Sequence, residues 1–343
     1  MAENSDKEIL KMKNRKKIFK AIRRTVAFFA VFIAVVVGGT LLLVTHNFAE
    51  AYVDYETTNK EITEYGKTFV SAHRSGGGIF PENTMMAFEG CINSDSFRTD
   101  IFEFDLHITK DDELIILHDS TLDRTTDAEE VFGREGNRPE DYSYEEILKL
   151  NFGDAFKTDE GETPYKDLEG EAVPDSLRVS RLRDVFSYLQ SNGDFGYIIE
   201  IKNSGELGCR SADILYSTLE EFGLLDKAII GTFNPEVTAY MDEAYPDMKR
   251  SASIPEVVQL YFNSLLGFDK DEDAYKFDAL QIPAGLSFLR LDTTRLVNYA
   301  HRHNIAVQYW TINDVEEMAH LKEIGADCIM SDIPDVAYEI LNS

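Results

Sequence analysis

Between Ser71 and Asp127 the chain brings together residue types that can cleave a phosphate ester. His73 closes the run Phe-Val-Ser-Ala-His and His118 closes Leu-Ile-Ile-Leu-His. Two histidines at segment ends suit general base and general acid work near neutral pH. Glu103 and Asp105 stand one strand-step apart in Ile-Phe-Glu-Phe-Asp-Leu-His, so they share a face with His107, while Phe102, Phe104, Leu106 and Ile108 take the other. Glu200, in Gly-Tyr-Ile-Ile-Glu-Ile-Lys, supplies a third carboxylate, with Lys202 one step beyond it. Carboxylates inside apolar strand runs are costly unless paired or bound to a cation. Three of them suit a hard divalent ion, Mg²⁺ or Ca²⁺, better than Zn²⁺. Arg74 can fork onto phosphate oxygens, and Gly76, Gly77 and Gly78 could let backbone N–H groups approach an anion.

Further residues frame this set. Trp310, the single tryptophan, ends Gln-Tyr-Trp and could wall a pocket. Glu82 and Asn83 precede a helical pattern and are expected to support the site from behind, with Asn83 or Thr84 the helix N-cap. His107, His301, His303, His320 and His46 lack comparable companions and read as ordinary core or loop histidines.

Positioning these groups requires a particular architecture. From residue 69 onward short apolar runs alternate with amphipathic patterns, which signals βα units around a parallel sheet. Strands are expected at 69–73, 101–107, 196–202, 227–233, 249–253, 279–283, 305–310 and 327–331. Helices are expected at 84–93, 182–191, 211–222, 235–244, 293–303 and 315–324. The run 114–118 follows 101–107 after a tight turn, too short for a parallel crossover, so it must pair antiparallel. Eight parallel strands with outer helices form an α/β fold, the (β/α)8 TIM barrel, here with a β-hairpin and insertion after strand 2. Residues 119–180 are poor in periodic apolar structure beyond a helix near 144–150, and are expected to be an insertion or lid beside the site.

Composition sets outer bounds. Nine Lys/Arg crowd residues 1–24 against three acids, and Thr25–Val44 is an uncharged run long enough to span a bilayer. A basic cytoplasmic tail (1–24), a retained transmembrane signal anchor (25–44), a stalk or linker (45–68) and an extracytoplasmic barrel (69–343) are therefore expected, at the cell membrane. Asn-x-Ser/Thr acceptors are absent, which points to a bacterial surface. The chain carries a net charge of −28, and the sequence after the tail is more acidic still, which argues against nucleic acid. Cys91, Cys209 and Cys328 are too few and too scattered for a disulfide framework or zinc site.

From residue 69 to the C-terminus the chain resembles the glycerophosphodiester phosphodiesterase family. The resemblance is carried, in order, by His73-Arg74, Pro81-Glu82-Asn83-Thr84, Glu103-x-Asp105, His118-Asp119 with Leu122-Asp123-Arg124-Thr125, Glu200-x-Lys202, Trp310-Thr311-x-Asn313, and Gly325-Ala326-Asp327 with Ser331-Asp332. Each motif is weak alone, and their ordered recurrence is specific. The resemblance implies a TIM barrel with His73 and His118 as the acid/base pair. It implies that Glu103, Asp105 and Glu200 hold a metal, that Arg74 and Lys202 contact phosphate, and that Trp310 lines the substrate pocket. One departure stands out: Ser75 occupies a position where the family usually has glycine.

The implied reaction is hydrolysis of glycerophosphodiesters to sn-glycerol 3-phosphate and an alcohol, through a cyclic phosphate. Lysophospholipids and teichoic-acid glycerophosphate are alternative substrates, and a non-enzymatic cell-surface binding barrel is the alternative of a different class. The residues leave open the headgroup, the choice of metal, which histidine is the base first and the oligomeric state.

Overall fold

The computed structural model describes residues 50–268, 274–286 and 289–343, with 23, 29, 31–35 and 37–39. Among the described residues, those from 50 to 286 and from 291 to 343 belong to one compact unit, and those before 40 with 289–290 to a second. In the second unit 31–35 and 37–39 are helical and exposed. The expected tail (1–24) and span (25–44) lie largely outside the described residues; among those, no helix is long and apolar enough to cross a membrane.

The larger unit is a parallel barrel. Its strands are β1 Phe69–Ala72, β2 Ile101–Ile108, β3 Leu114–Ile116, β4 Gly196–Ile201, β5 Ala228–Gly231, β6 Ala279–Ile282, β7 Ala306–Tyr309 and β8 Cys328–Ser331. Seven of these run parallel in the order β5-β4-β2-β1-β8-β7-β6. The eighth position, expected as a strand over 249–253, is filled by Arg250 and Ser251, which bridge Ile230 on β5 and Ala279 on β6. Backbone bonds run on both sides: Ser251 N–H donates to Ile230 at 3.0 Å and Ala252 N–H to Ala279 at 2.9 Å. Arg250 sets its buried guanidinium between Asp242 and Glu256, at 2.6 and 2.9 Å. β3 pairs antiparallel with β2, His107 opposite Ile115, as the tight turn requires.

Alternation along β2 divides the layers. Phe102, Phe104, Leu106 and Ile108 enter the large apolar cluster under the helices, with Phe88 and Phe186. Ile101 faces inward with Ile198, Cys328 and Met330, leaving Glu103, Asp105 and His107 as the next inward positions toward the mouth. The helices are α1 Met85–Ile92, α2 Ala128–Phe132, α3 Tyr144–Ile147, α4 Leu182–Asn192, α5 Gly205–Phe222, α6 Pro235–Ala244, α7 Ile254–Leu266, α8 Thr294–Arg302, α9 Val315–Glu323 and α10 Pro334–Leu341. Thr84 is the N-cap of α1, its hydroxyl accepting from Ala87 N–H at 3.2 Å.

Two segments differ from a plain reading of their composition. The described part of the expected stalk, residues 50–68, is strapped to the N-terminal pole of the barrel. Val53 N–H donates to Asn298 Oδ1 at 2.9 Å, Asn59 Nδ2 to the Asp278 carbonyl at 2.8 Å, and Thr63 N–H to Asp327 Oδ1 at 2.8 Å. Ile62 packs on Ile229, Ala279 and Ala306. Tyr52 stacks on Tyr65 and lies against Gly325, whose φ of +87° and lack of a side chain make room for the ring. The 119–180 segment has its own core of Leu122, Ala128, Ile147, Leu150, Phe152 and Val179 around Ile115 and Leu117. All three cysteines are free.

Candidate active site

The mouth of the barrel gathers most of the expected groups from four elements. Asp105 on β2 and Glu200 on β4 are register partners, and Lys202 Nζ lies 3.5 Å from Asp105 and 3.1 Å from Glu200. Glu103 Oε2 accepts from the Arg74 backbone N–H at 2.7 Å and lies 3.9 Å from His73 Nε2. Asn83, set at φ +58° in the turn before α1, points Nδ2 at Asp105 at 3.4 Å. Asparagine tolerates that left-handed backbone better than most residues.

Each histidine is fastened by its Nδ1. His73 Nδ1 meets Asp332 Oδ1 at 2.6 Å, and Asp332 is held by Asn313, whose Nδ2 donates to its Oδ2 at 2.7 Å. His118 Nδ1 meets Asp119 Oδ1 at 2.7 Å. A carboxylate accepting at Nδ1 leaves Nε2 as the working nitrogen and fixes the ring. Sequence reasoning named Asp119, Arg124, Asn313 and Asp332 as motif members without assigning them roles. The histidine–aspartate dipeptide at 118–119 was the available signal.

Electrostatics at the mouth is dominated by buried acids. Burial, with Asp105 as close neighbour, holds the Glu103 carboxyl well above the usual carboxylate range. Burial also raises Glu200, partly offset by Lys202. For His73, burial opposes the charged form, but Glu103 and Asp332 outweigh it and its pKa is raised. His107 is buried, and burial pushes its pKa down to about 4.

The glycine stretch does not offer the expected anion cradle. Gly76 and Gly77 N–H both donate to the His73 carbonyl and Gly78 N–H to the Asp332 carbonyl, at 2.9, 3.1 and 2.9 Å. These donors are spent on the protein. Gly78 is needed because a Cβ there would sit 2.8 Å from the Asp332 carbonyl oxygen, so the glycine lets the β1 loop close on the residue that orients His73. Arg74 and Ser75 both have positive φ, +48° and +63°. That explains why glycine suits position 75, and a serine there carries backbone strain of about 1–3 kcal/mol. The Arg74 side chain turns to Glu82, with Nη1 at 3.3 Å. Trp310 lies edge-on to Phe233 at 6.1 Å and packs against the inner apolar layer.

A divalent cation fits the donor chemistry more than the side-chain poses. Among the described residues no three His, Cys, Asp or Glu side chains form a ready metal cluster. Lys202 Nζ already pairs with both Asp105 and Glu200, so a cation sharing their oxygens would have to displace it. The excess of buried carboxylate at Glu103, Asp105 and Glu200 still calls for a cation beyond Lys202. Asn83 Oδ1, buried and without a partner among the described residues, is a further oxygen donor beside Asp105.

Comparison with known proteins shows the family and the fold. The sequence profile of the glycerophosphoryl diester phosphodiesterase family matches residues 73–336. A glycerophosphodiester phosphodiesterase of Caldanaerobacter subterraneus subsp. tengcongensis is 28% identical over 276 residues, covering 80% of this chain and 98% of that protein. A lysophospholipase D of Rattus norvegicus is 23% identical over 308 residues, covering 79% and 85%. A solved Oleispira antarctica phosphodiesterase, in complex with the product sn-glycerol-3-phosphate, shares the fold with a TM-score of 0.59 at 21% identity, covering 81% of this chain and 98% of that one.

Proposed function

The chain belongs to the glycerophosphoryl diester phosphodiesterase family, and from that premise we propose that it hydrolyses glycerophosphodiesters to sn-glycerol 3-phosphate and a free alcohol. The observation that carries the reading is the matched pair His73–Asp332 and His118–Asp119, two imidazoles each locked through Nδ1 beside a nest of three carboxylates.

In the proposed mechanism one histidine takes the proton of the glycerol 2-hydroxyl through its Nε2. The alkoxide oxygen forms a bond to phosphorus, and the bond to the departing alcohol breaks as the other histidine donates a proton to it. Water then opens the cyclic phosphate with the two roles exchanged. Asp332 and Asp119 keep both rings oriented and stabilise the imidazolium as it forms. Arg74 and Lys202 contact the phosphate once it displaces their present carboxylate partners. Mg²⁺ or Ca²⁺ held by Glu103, Asp105 and Glu200 would supply neutralising charge at the phosphate when bound. The catalytically silent alternative loses support because no acid/base or carboxylate residue is missing.

Likeness to a lysophospholipase D favours one second reading, in which the ester carries an acyl chain on the glycerol. The exposed Phe233 beside Trp310 at the mouth is consistent with it. Membrane attachment through residues 25–44, with the barrel outside and the N-terminus inside, is part of the same proposal and rests on the charge pattern of the sequence.

Purified residues 45–343 assayed on glycerophosphocholine, its 2-deoxy analogue, lysophosphatidylcholine and a glycerophosphate polymer test the reading. Glycerophosphocholine should release glycerol 3-phosphate, and the 2-deoxy compound should bind without turnover, because the attacking hydroxyl is intramolecular. Rapid cleavage of the 2-deoxy compound would replace the cyclic route with direct attack by water. Turnover of lysophosphatidylcholine alone would establish the second reading.

A further inference from the structure

Arg124, near the start of the 119–180 segment, commits its guanidinium to two carboxylates. Nε and Nη2 donate to Asp119 Oδ2 and Oδ1 at 2.5 and 3.0 Å. Nη1 and Nη2 donate to Glu82 Oε2 and Oε1 at 3.0 and 2.6 Å. Four of the five N–H groups are thus used, and both forks are bidentate. Asp119 also receives His118 Nδ1, and Glu82 also receives Arg74 Nη1. An unbroken polar chain therefore runs from Arg74 on the β1 loop, through Glu82, Arg124 and Asp119, to His118 beyond β3.

We infer that Arg124 is a positioning residue for the hydrolysis: through Asp119 it holds the His118 ring in one tautomer and orientation, and through Glu82 it sets Arg74 relative to that ring. The inference rests on the acid/base role proposed for His118. Stability alone does not account for the arrangement. The Arg124 side chain is 47% exposed, and exposed ion pairs contribute only ~0–1 kcal/mol. Geometry does account for it. The loop before α1 and the loop after β3 each carry an acid, Glu82 and Asp119, which would repel each other without a shared cation. Arg124 joins them and keeps Asp119 ionised: burial raises that carboxyl, but hydrogen bonds from Arg124 and His118 bring it down to about 2. A lysine could satisfy one acid but has no planar fork for both.

The test combines kinetics on glycerophosphocholine with nitrogen-15 histidine spectra of the substrate-free protein. Arg124→Ala should lower kcat about 10–100-fold, with KM within about twofold. Arg124→Lys should not rescue it. In a His118→Ala background the same Arg124→Ala change should lower residual kcat several-fold less than in the wild type, because the part of its effect that passes through the ring is already lost. The spectra should show His118 protonated at Nδ1 in the wild type and a tautomer mixture in Arg124→Ala. Glu82→Gln, which loosens the clamp and keeps the arginine, should move spectrum and kcat in the same direction if Arg124→Ala fails to fold. Equal loss in both backgrounds would make Arg124 a substrate contact, and an unchanged His118 spectrum would overturn the clamp. A wild type that cleaves no glycerophosphodiester would defeat the proposed reaction, while the spectra would still decide the clamp.

Discussion

Asp105 and Glu200 face each other across the parallel pair β2–β4, and Lys202 lies within 3.5 Å of both. The lysine therefore stands where a divalent ion would share these oxygens, and under the proposed mechanism metal and ammonium would compete for one place. Glu103→Gln should lower Mg²⁺ or Ca²⁺ affinity at least about tenfold in a calorimetric titration, whereas Lys202→Met should tighten it. Turnover that survives prolonged EDTA treatment would remove the metal from the mechanism.

His73 and His118 are expected to act as one unit. Changing either to alanine should cut kcat by ~10²–10⁴, and the double variant should cost little more than the worse single one. A variant of either residue that keeps more than half of wild-type turnover would make that histidine structural. His107 would not then inherit the role easily, since burial holds it neutral and β3 covers it.

Barrel closure should show its own pH signature. Glu256 is half-buried; burial raises its carboxyl, but Arg250 and the Ser253 cap outweigh that and hold it below its ordinary 4.5. A depressed folded pKa contributes stability that is complete above about pH 4.5 and is lost as pH falls through the lower folded value. Glu256→Gln should cost ~1.5–3 kcal/mol at pH 7, Asp242 still pairing the buried Arg250. The Tm gap to wild type should stay level above pH 4.5 and narrow below it. A gap that widens in acid would contradict the assignment.

The proposed topology rests on the amino-terminal charge pattern. Protease added to intact cells should degrade a barrel epitope and spare an N-terminal tag. The reverse result would place the barrel inside.

Much of this architecture was legible in the chain because period-2 alternation at 101–108 and short β-branched runs mark inward and outward faces. The βα order, the hairpin and seven of the eight parallel positions follow from those patterns. The start of α5 was hidden because Gly205 and Gly208 depress helix propensity, and the helix begins at 205, not 211. The α7 helix carried a readable signal, the Ser253–Glu256 capping box with Pro255, that apolar periodicity alone does not weigh. The candidate histidines and carboxylates stood out by type and spacing. Asp332 did not, since an aspartate so far along the chain from His73 gives no local sign that it will meet that imidazole, whereas Asp119 directly follows its histidine. The glycine stretch misled for a related reason: whether an N–H is spent on a carbonyl depends on tertiary contacts.

The strap at residues 50–68 separates two meanings of the word domain. The recognisable family region begins at residue 73, after β1, a strand bonded on both edges to β2 and β8. A fragment cut at that boundary would lose an interior stave of the barrel. One cut at residue 69 would leave Asp327 without the Thr63 donor and Ile62's apolar seat open to water. The smallest piece able to fold by itself should therefore begin near residue 50, and homology limits make poor cloning limits for this protein.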